Sequence, residues 1–125
     1  MREIGNGRRE PLTVRELLIA SHIKPWRESD NEERLDGMNG LLLATHADRL
    51  FDRYLMSFRE VRGDFVCTLH ARVRADAKKL GVFEGMRLAT GQLSLCDEPR
   101  FRKYMAGHFS RHLELLAQHK TTGHT

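Results

Sequence analysis

The stretch NGLLLATHADRLFD, residues 39–52, determines the fold that we expect for this 125-residue chain. Its first half is a short apolar run behind an Asn-Gly pair, which predicts a turn followed by a buried strand. From Thr45 the apolar residues recur with helical spacing, and we expect this helix to continue to about Met56. The stretch therefore predicts a strand that leads directly into a helix.

Asp48 and Asp52 lie four residues apart on this predicted helix and therefore share one face. Two carboxylates so placed repel each other by about a few tenths of a kcal/mol, so we expect a cation between them. Hard oxygen ligands suit Mg²⁺ or Mn²⁺. Two other interpretations stay open, since Thr45 and Asp48 fit a capping box and Asp52 could pair with a nearby arginine.

Upstream lies ASHIKPW, residues 20–26, which carries a histidine between apolar residues and the only tryptophan of the chain. The run LLIASHI favours a buried strand, whereas Thr13 and Glu16 look like a capping box, which favours a helix. His22 is either a base or a hydrogen-bonded packing residue. This stretch alone does not decide between the two.

The second half of the chain predicts a hairpin and helices. Residues 55–70, LMSFREVRGDFVCTLH, have two apolar arms around a turn near residues 62–64. Residues 71–81 predict a short helix that ends at Gly81. A last helix is expected from Pro99 to about Gln118. Its predicted apolar face consists of Phe101, Tyr104, Met105, Phe109, Leu113 and Leu116.

The expected organisation is one domain. We expect residues 1–12 to be a flexible N-terminal segment, residues 13–118 to form the domain and residues 119–125 to be a tail. A strand is also expected at QLSLC, residues 92–96. The order of elements predicts the α+β class.

Composition excludes some classes of protein. The formal net charge of +4 and a pI of about 9.4 suit an anionic partner such as nucleic acid. The apolar runs are too short to span a bilayer, and the N-terminus lacks the apolar core of a signal peptide, so we expect a cytoplasmic protein without membrane contact. Cys67 and Cys96 have no metal-binding spacing and read as small buried hydrophobes.

Taken together, the motifs resemble the HNH endonuclease family, and most of all a restriction-type and phage-defence subgroup. That subgroup reads His-Ile-x-Pro-Trp, then Asn-Gly-Leu-Leu-Leu, then a helix that ends Leu-Phe-Asp. This chain has HIKPW at 22–26, NGLLL at 39–43 and LFD at 50–52. The likeness covers roughly residues 14–115 and reaches FRKYMAGHFSRH, residues 101–112.

The resemblance implies a ββα-metal finger followed by a β-hairpin and C-terminal helices. It implies that His22 is the general base and that Asn39 orders the loop that holds this base. Asp48 and Asp52 would hold one divalent cation, Mg²⁺ or Mn²⁺ rather than Zn²⁺ or Ni²⁺. Ser21 stands where the family often has a metal-binding Asp or His, and serine is a poorer ligand.

The implied activity is metal-dependent hydrolysis of DNA phosphodiester bonds, in restriction or defence, with double-stranded DNA as the substrate. The implied phosphate contacts are Lys24, Arg49 and Arg53, which could equally be solvated surface charges. His108 and His112 lie one helical turn apart and are expected to be surface or DNA-facing residues.

Two features favour an alternative, a catalytically silent or truncated HNH-type domain that binds DNA or a partner. One is Ser21. The other is the start of the chain, MREIGNGRREPLTV, where the resembled proteins usually have a Cys-x-x-Thr-Gly-like strand. Double-strand cutting would further require a homodimer or two visits to the DNA, and sequence recognition would require a separate domain or subunit.

Overall fold

The computed structural model describes residues 2–4, 18–89 and 98–122. In these ranges the α-helices are α1 Asn31–Leu35, α2 Thr45–Asp52, α3 Arg74–Lys79 and α4 Glu98–Thr122. The strands are β1 Arg2–Ile4, β2 Leu18–His22, β3 Gly40–Ala44, β4 Met56–Val61, β5 Asp64–Leu69 and β6 Leu88–Ala89. The α+β class is confirmed, and no described helix is long and apolar enough to cross a membrane.

Strands β2 and β3 with helix α2 form the ββα unit that the sequence predicts. The two strands pair antiparallel, with His22 opposite Gly40 and Leu18 opposite Ala44. The run LLIASHI is thus a strand from Leu18 onward, while the capping box of Thr13 and Glu16 lies outside the described residues. Strand β3 is largely buried and leads into α2 without a loop.

The sheet continues beyond this unit in the order β2-β3-β1-β6. Strand β1 pairs parallel with β3 and antiparallel with β6. These three residues belong to the segment 1–12 that the sequence predicts to be flexible, and here they join the sheet. The predicted strand at 92–96 and Cys96 lie outside the described residues, whereas Cys67 is buried, which raises the pKa of its thiol to about 12.

Helix α2 ends earlier than the sequence predicts. It stops at Asp52 rather than near Met56, because the backbone of Tyr54 turns to a φ of 60°. Two hydrogen bonds close this end, from the amide of Leu55 to the carbonyl of Leu50 at 2.9 Å and from Tyr54 to Phe51 at 3.1 Å. This is a Schellman motif with tyrosine where glycine is usual, so the sequence carries no ordinary stop signal.

Strands β4 and β5 form the predicted hairpin. Val61 pairs with Asp64, and the two turn residues, Arg62 and Gly63, both have positive φ, at 53° and 86°. A two-residue turn of this geometry matches the right-handed twist of the strands. The predicted helix at residues 71–81 is a 3-10 turn, Ala71–Val73, followed by α3, and Gly81 with a φ of 84° terminates it just beyond Lys79.

Helix α4 packs across β4 with the predicted face at Phe101 and Met105, but from His108 onward the buried face differs from the predicted one. The buried positions are Phe101, Met105, His108 and His112, at helical spacing, while Leu113 is 48% exposed. The expectation that both histidines are surface or DNA-facing residues is therefore wrong. Hydropathy selected the leucines, but the histidines are buried because each has a hydrogen-bond partner inside the fold.

The hairpin turn can be tested by two glycine substitutions. A Cβ atom at Gly63 or at Gly37 would meet nothing within 4 Å, but only Gly63 has a positive φ. We expect Gly63→Ala to lower the free energy of unfolding by about 1 kcal/mol, because alanine resists this backbone conformation. Urea unfolding measures the difference. Gly37→Ala is the matched control and should be neutral or stabilising; equal losses would contradict the turn.

Candidate active site

Four of the predicted site residues line one open cleft of about 570 Å³. Ser21 and His22 come from the end of β2, and Asp48 and Asp52 come from one face of α2. The ββα unit brings them together because β2 pairs with β3 and β3 leads directly into α2. The cleft is also lined by Trp26, Arg27, Glu28, Tyr54, His108 and Arg111.

The His22 ring is half-buried and held on two sides. Its Nε2 lies 3.3 Å from the carbonyl oxygen of Arg34, and the ring meets Trp26 edge to face, with 5.5 Å between ring centroids. A carbonyl oxygen only accepts hydrogen bonds, so Nε2 carries the proton in this contact. The lone pair of Nδ1 is then available to accept a proton.

Asn39 is fully buried and fixes the chain directly after His22. Its Oδ1 accepts a hydrogen bond from the amide of Lys24 at 2.7 Å, and its Nδ2 donates to the carbonyl of Glu33 at 3.1 Å. Its own carbonyl accepts from the amide of Ile23 at 3.1 Å. These bonds join the strand that carries the histidine to the loop that supplies the carbonyl of Arg34.

Asp48 and Asp52 line the cleft, and neither forms an ion pair with a cationic side chain in the described part of the chain, although the charge of Arg53 acts on Asp52. The capping box of Thr45 and Asp48 does not form, since Ala44 is the N-cap and no side chain caps the helix. Burial, followed by the negative charge of Asp48, raises the pKa of Asp52. Asp52 is also the last residue of α2, where the helix dipole disfavours a negative charge.

Ser21 adds an unpaired hydroxyl to this carboxylate pair. Its Oγ is buried and has no hydrogen bond of normal geometry with the described residues, although the hydroxyl is close enough to lower the pKa of Asp52. A buried polar atom without a partner is unfavourable unless a ligand or water satisfies it. It stands beside two carboxylates that form no ion pair with the described residues.

These oxygen atoms fit a divalent cation, though with few protein ligands. Among the described residues no group of three or more His, Cys, Asp or Glu side chains is arranged to hold a metal. The local donors are the carboxylates of Asp48 and Asp52 and the hydroxyl of Ser21, all of them hard oxygen ligands. A cation here would offset the repulsion within the pair, and water and substrate would have to complete its coordination.

The three residues expected to contact phosphates differ in their surroundings. The ammonium group of Lys24 lies 2.8 Å from a carboxylate oxygen of Glu33, so an acidic side chain already occupies it. Arg49 and Arg53 are exposed and make no ion pair with the described residues. The guanidinium groups of Arg49 and Arg53 are therefore open to solvent, whereas the ammonium group of Lys24 is not free.

Helix α4 contributes residues that the sequence did not assign to this region. His108 stacks on the Phe51 ring at 3.6 Å, donates from Nε2 to the carbonyl of Phe51 at 2.7 Å and accepts from the Ser57 hydroxyl at 2.7 Å. Burial lowers its pKa to about 3, so the ring is neutral. The signal was present in the sequence, because His108 and His112 continue the face of Phe101 and Met105 at helical spacing.

Comparison with known proteins bears on the same part of the chain. Residues 5–59 match the model of the HNH endonuclease family, a range that includes β2, β3 and α2. The match supports the HNH family. It also supports nuclease activity as the general class of function, with DNA as the substrate and a divalent metal as the usual cofactor of such enzymes. No curated protein matches the chain.

The buried histidines predict acid sensitivity. The pKa of His108 is about 3 in the folded protein, so between that value and the ordinary 6.5 the unfolded chain binds more protons. The contribution of the neutral, buried His108 ring to stability is complete above pH 6.5. It is lost as the pH falls, because the unfolded chain then gains a proton that the folded protein does not. We expect the free energy of unfolding to drop between pH 6.5 and 5 by up to about 1.4 kcal/mol per pH unit from this residue.

Urea unfolding at several pH values measures this slope. His108→Gln should be less stable at pH 7.5 and should show a shallower slope between pH 6.5 and 5. Burial also lowers the pKa of His112, so some slope will remain. His46→Gln is the control, since it removes a histidine that is only partly buried. An unchanged slope in His108→Gln would contradict the burial of a neutral ring.

The repulsion between Asp48 and Asp52 predicts that the charge of Asp52 lowers the stability of the metal-free protein. We expect Asp52→Asn to raise the free energy of unfolding without metal by about 0.5 kcal/mol, because it removes both the repulsion from Asp48 and the charge at the helix end. Mn²⁺ should raise the melting temperature of the wild type and not of this variant. Asp76→Asn, at an exposed acid on α3, is the control. A loss of stability in Asp52→Asn would show that favourable contacts hold this carboxylate.

Proposed function

We propose that this chain is a divalent-metal-dependent endonuclease that hydrolyses phosphodiester bonds of double-stranded DNA. The observation that carries the proposal is the shared cleft, in which His22 lies with two carboxylates, Asp48 and Asp52, that form no ion pair with the described residues. Such a site can activate water and bind a cation side by side. The HNH family match over residues 5–59 supports the same class of reaction.

In this proposal His22 is the general base. With Nε2 held by the carbonyl of Arg34, Nδ1 accepts a proton from the attacking water. Asn39 is a positioning residue, because its hydrogen bonds join the chain directly after the histidine to the loop that carries the Arg34 carbonyl. The resulting hydroxide attacks the phosphorus in line, the bond from phosphorus to the 3′ oxygen breaks, and this oxygen takes a proton from solvent water, which leaves 5′-phosphate and 3′-hydroxyl ends.

Asp48 and Asp52 would hold the cation, with the Ser21 hydroxyl as an additional, weaker donor. A divalent ion bound there would stabilise negative charge on the phosphate and on the leaving 3′ oxygen. Oxygen donors favour Mg²⁺ or Mn²⁺ over Zn²⁺ or Ni²⁺. With so few protein ligands, we expect the affinity for free metal to be weak and to increase when substrate is bound.

Arg49 and Arg53 are the proposed phosphate contacts, since both are exposed on the helix that carries the carboxylates. Lys24 would have to leave Glu33 to take part. Contacts of this kind provide affinity but no sequence preference. A role in restriction or defence, the use of a homodimer for double-strand cutting and a separate recognition domain rest on the resemblance and belong to this proposal.

A second function has two observations in its favour. The described residues offer no three-ligand metal cluster, and a serine occupies the position of an expected ligand. A silent HNH-type domain that binds DNA without cutting it would tolerate this composition. The two functions differ in whether bound DNA is hydrolysed.

Incubation of the purified protein with supercoiled plasmid separates them. We expect nicking with Mg²⁺ or Mn²⁺ and none with EDTA. His22→Ala should reduce the rate by about 10²- to 10⁴-fold, the usual contribution of a general base. His46→Ala, the matched histidine control, should cut like the wild type.

Two results would contradict the proposal. A His22→Ala variant that cuts at the wild-type rate would remove the base from this cleft. A wild type that shifts plasmid in a gel but does not cut it with either metal would favour the silent binding domain.

A further inference from the structure

One edge of the cleft is formed by an arginine, a tyrosine and a glutamate from three different parts of the chain. Arg111 of α4 donates from its two terminal nitrogens to both carboxylate oxygens of Glu28, one of them at 2.8 Å. It also donates to the Tyr54 hydroxyl at 2.8 Å, and its guanidinium lies 5.5 Å from the centre of the Tyr54 ring. All three residues line the cleft that contains His22, Asp48 and Asp52.

The tyrosine is held in an unfavourable backbone conformation. A φ of 60° is rare for an aromatic residue and costs about 1–2 kcal/mol. Helix α4 fixes it there, because His112 donates from Nδ1 to the Tyr54 carbonyl at 2.8 Å and the His108 ring lies 4.6 Å from the Tyr54 ring. Such strain is retained where the surrounding structure requires a side chain at one place.

The Glu28 carboxylate is held by Arg111 and by no other described side chain, although this contact is bidentate. Glu28 lies in a short 3-10 turn, Trp26–Glu28, and Arg111 is its hydrogen-bond partner among the described residues. The hydrogen bonds from Arg111 lower the pKa of Glu28, which therefore stays charged. Both side chains are partly exposed, at 43% and 40%, so solvent and ligands reach the pair.

A second arginine, tyrosine and carboxylate group on α4 differs from the first in the role of its carboxylate. Arg100 and Tyr104 both donate to Asp36, at 3.0 to 3.2 Å, but this carboxylate also accepts the amide of Met38 and thereby caps a helical turn. It lies outside the cleft. There the carboxylate has a structural role, whereas the Glu28 carboxylate has none with the described backbone.

We propose that Arg111 and Tyr54 form an anion subsite that binds a backbone phosphate of the DNA strand in the cleft, and that Glu28 fills this subsite until the strand displaces it. A phosphate offers a guanidinium the same pair of acceptor oxygens as a carboxylate. The proposal rests on the proposed function, since its ligand is the nucleic acid that enters this cleft. Glu28 thereby competes with the substrate.

Fluorescence anisotropy of a labelled DNA duplex tests this in EDTA, where binding is measured without cleavage. We expect Glu28→Gln to tighten binding about three- to ten-fold, because the competing charge is gone. Glu60→Gln makes the same charge change at a carboxylate that pairs with Arg102 of α4, outside the cleft, and should have a smaller effect. The gain from Glu28→Gln should disappear when Arg111 is also replaced by glutamine.

Loss of the subsite is tested in the opposite direction. Arg111→Gln should weaken binding about ten-fold and lower the salt dependence by about one phosphate contact, while Arg100→Gln should do less. If Arg111→Gln fails to fold, Tyr54→Phe replaces it, since this variant removes only the hydroxyl and should weaken binding about two- to three-fold.

The outcomes separate this proposal from the proposed function. Equal effects of Glu28→Gln and Glu60→Gln, equal effects of Arg111→Gln and Arg100→Gln, or no binding of the duplex by the wild type would overturn the subsite. Tight binding with the expected differences, together with a wild type that never cuts plasmid, would retain the subsite and reject the nuclease.

Discussion

The contact between His108 and the end of α2 is the interaction on which the site depends. This neutral ring donates to the carbonyl of Phe51, accepts from the hydroxyl of Ser57 and stacks on the Phe51 ring. It therefore joins α4 to both α2 and β4 with every polar atom of the imidazole satisfied. Because Asp52 directly follows Phe51, the position of this carboxylate is coupled to a helix that lies beyond the range of the family match.

Much of the ββα unit and of the hairpin that follows it could be predicted from local sequence. The strand GLLLA, the helix that begins at Thr45 and the hairpin around Gly63 follow from apolar patterning and turn chemistry, and the structure confirms each of them. The fit of His22, Asn39, Asp48 and Asp52 to one motif also predicted residues that meet in space, since His22, Asp48 and Asp52 line the cleft and Asn39 braces the histidine.

What could not be predicted depends on contacts distant in sequence. The early end of α2 requires a positive φ at Tyr54, which local propensity disfavours and which contacts from α4 stabilise. From the sequence alone the two buried histidines were expected at the surface, because their hydrogen-bond partners, Phe51 and Tyr54, are distant in sequence. The sequence likewise did not predict Arg111 as a residue of the cleft, because only the packing of α4 brings it next to Glu28.

The two sides of the cleft differ in their electrostatics. On one side, Asp48 and Asp52 repel each other, and burial together with this repulsion raises the pKa of Asp52. On the other side, Arg111 holds the charge of Glu28, which lowers the pKa of that carboxyl. The Asp48 and Asp52 pair forms no ion pair with a cation, whereas the Glu28 carboxylate is paired with Arg111 and with no other described side chain. A metal ion would offset the repulsion on the first side, and in the proposed subsite a phosphate of the strand would take the place of the Glu28 carboxylate on the second. An unfavourable charge arrangement such as the Asp48 and Asp52 pair is expected where a ligand completes it.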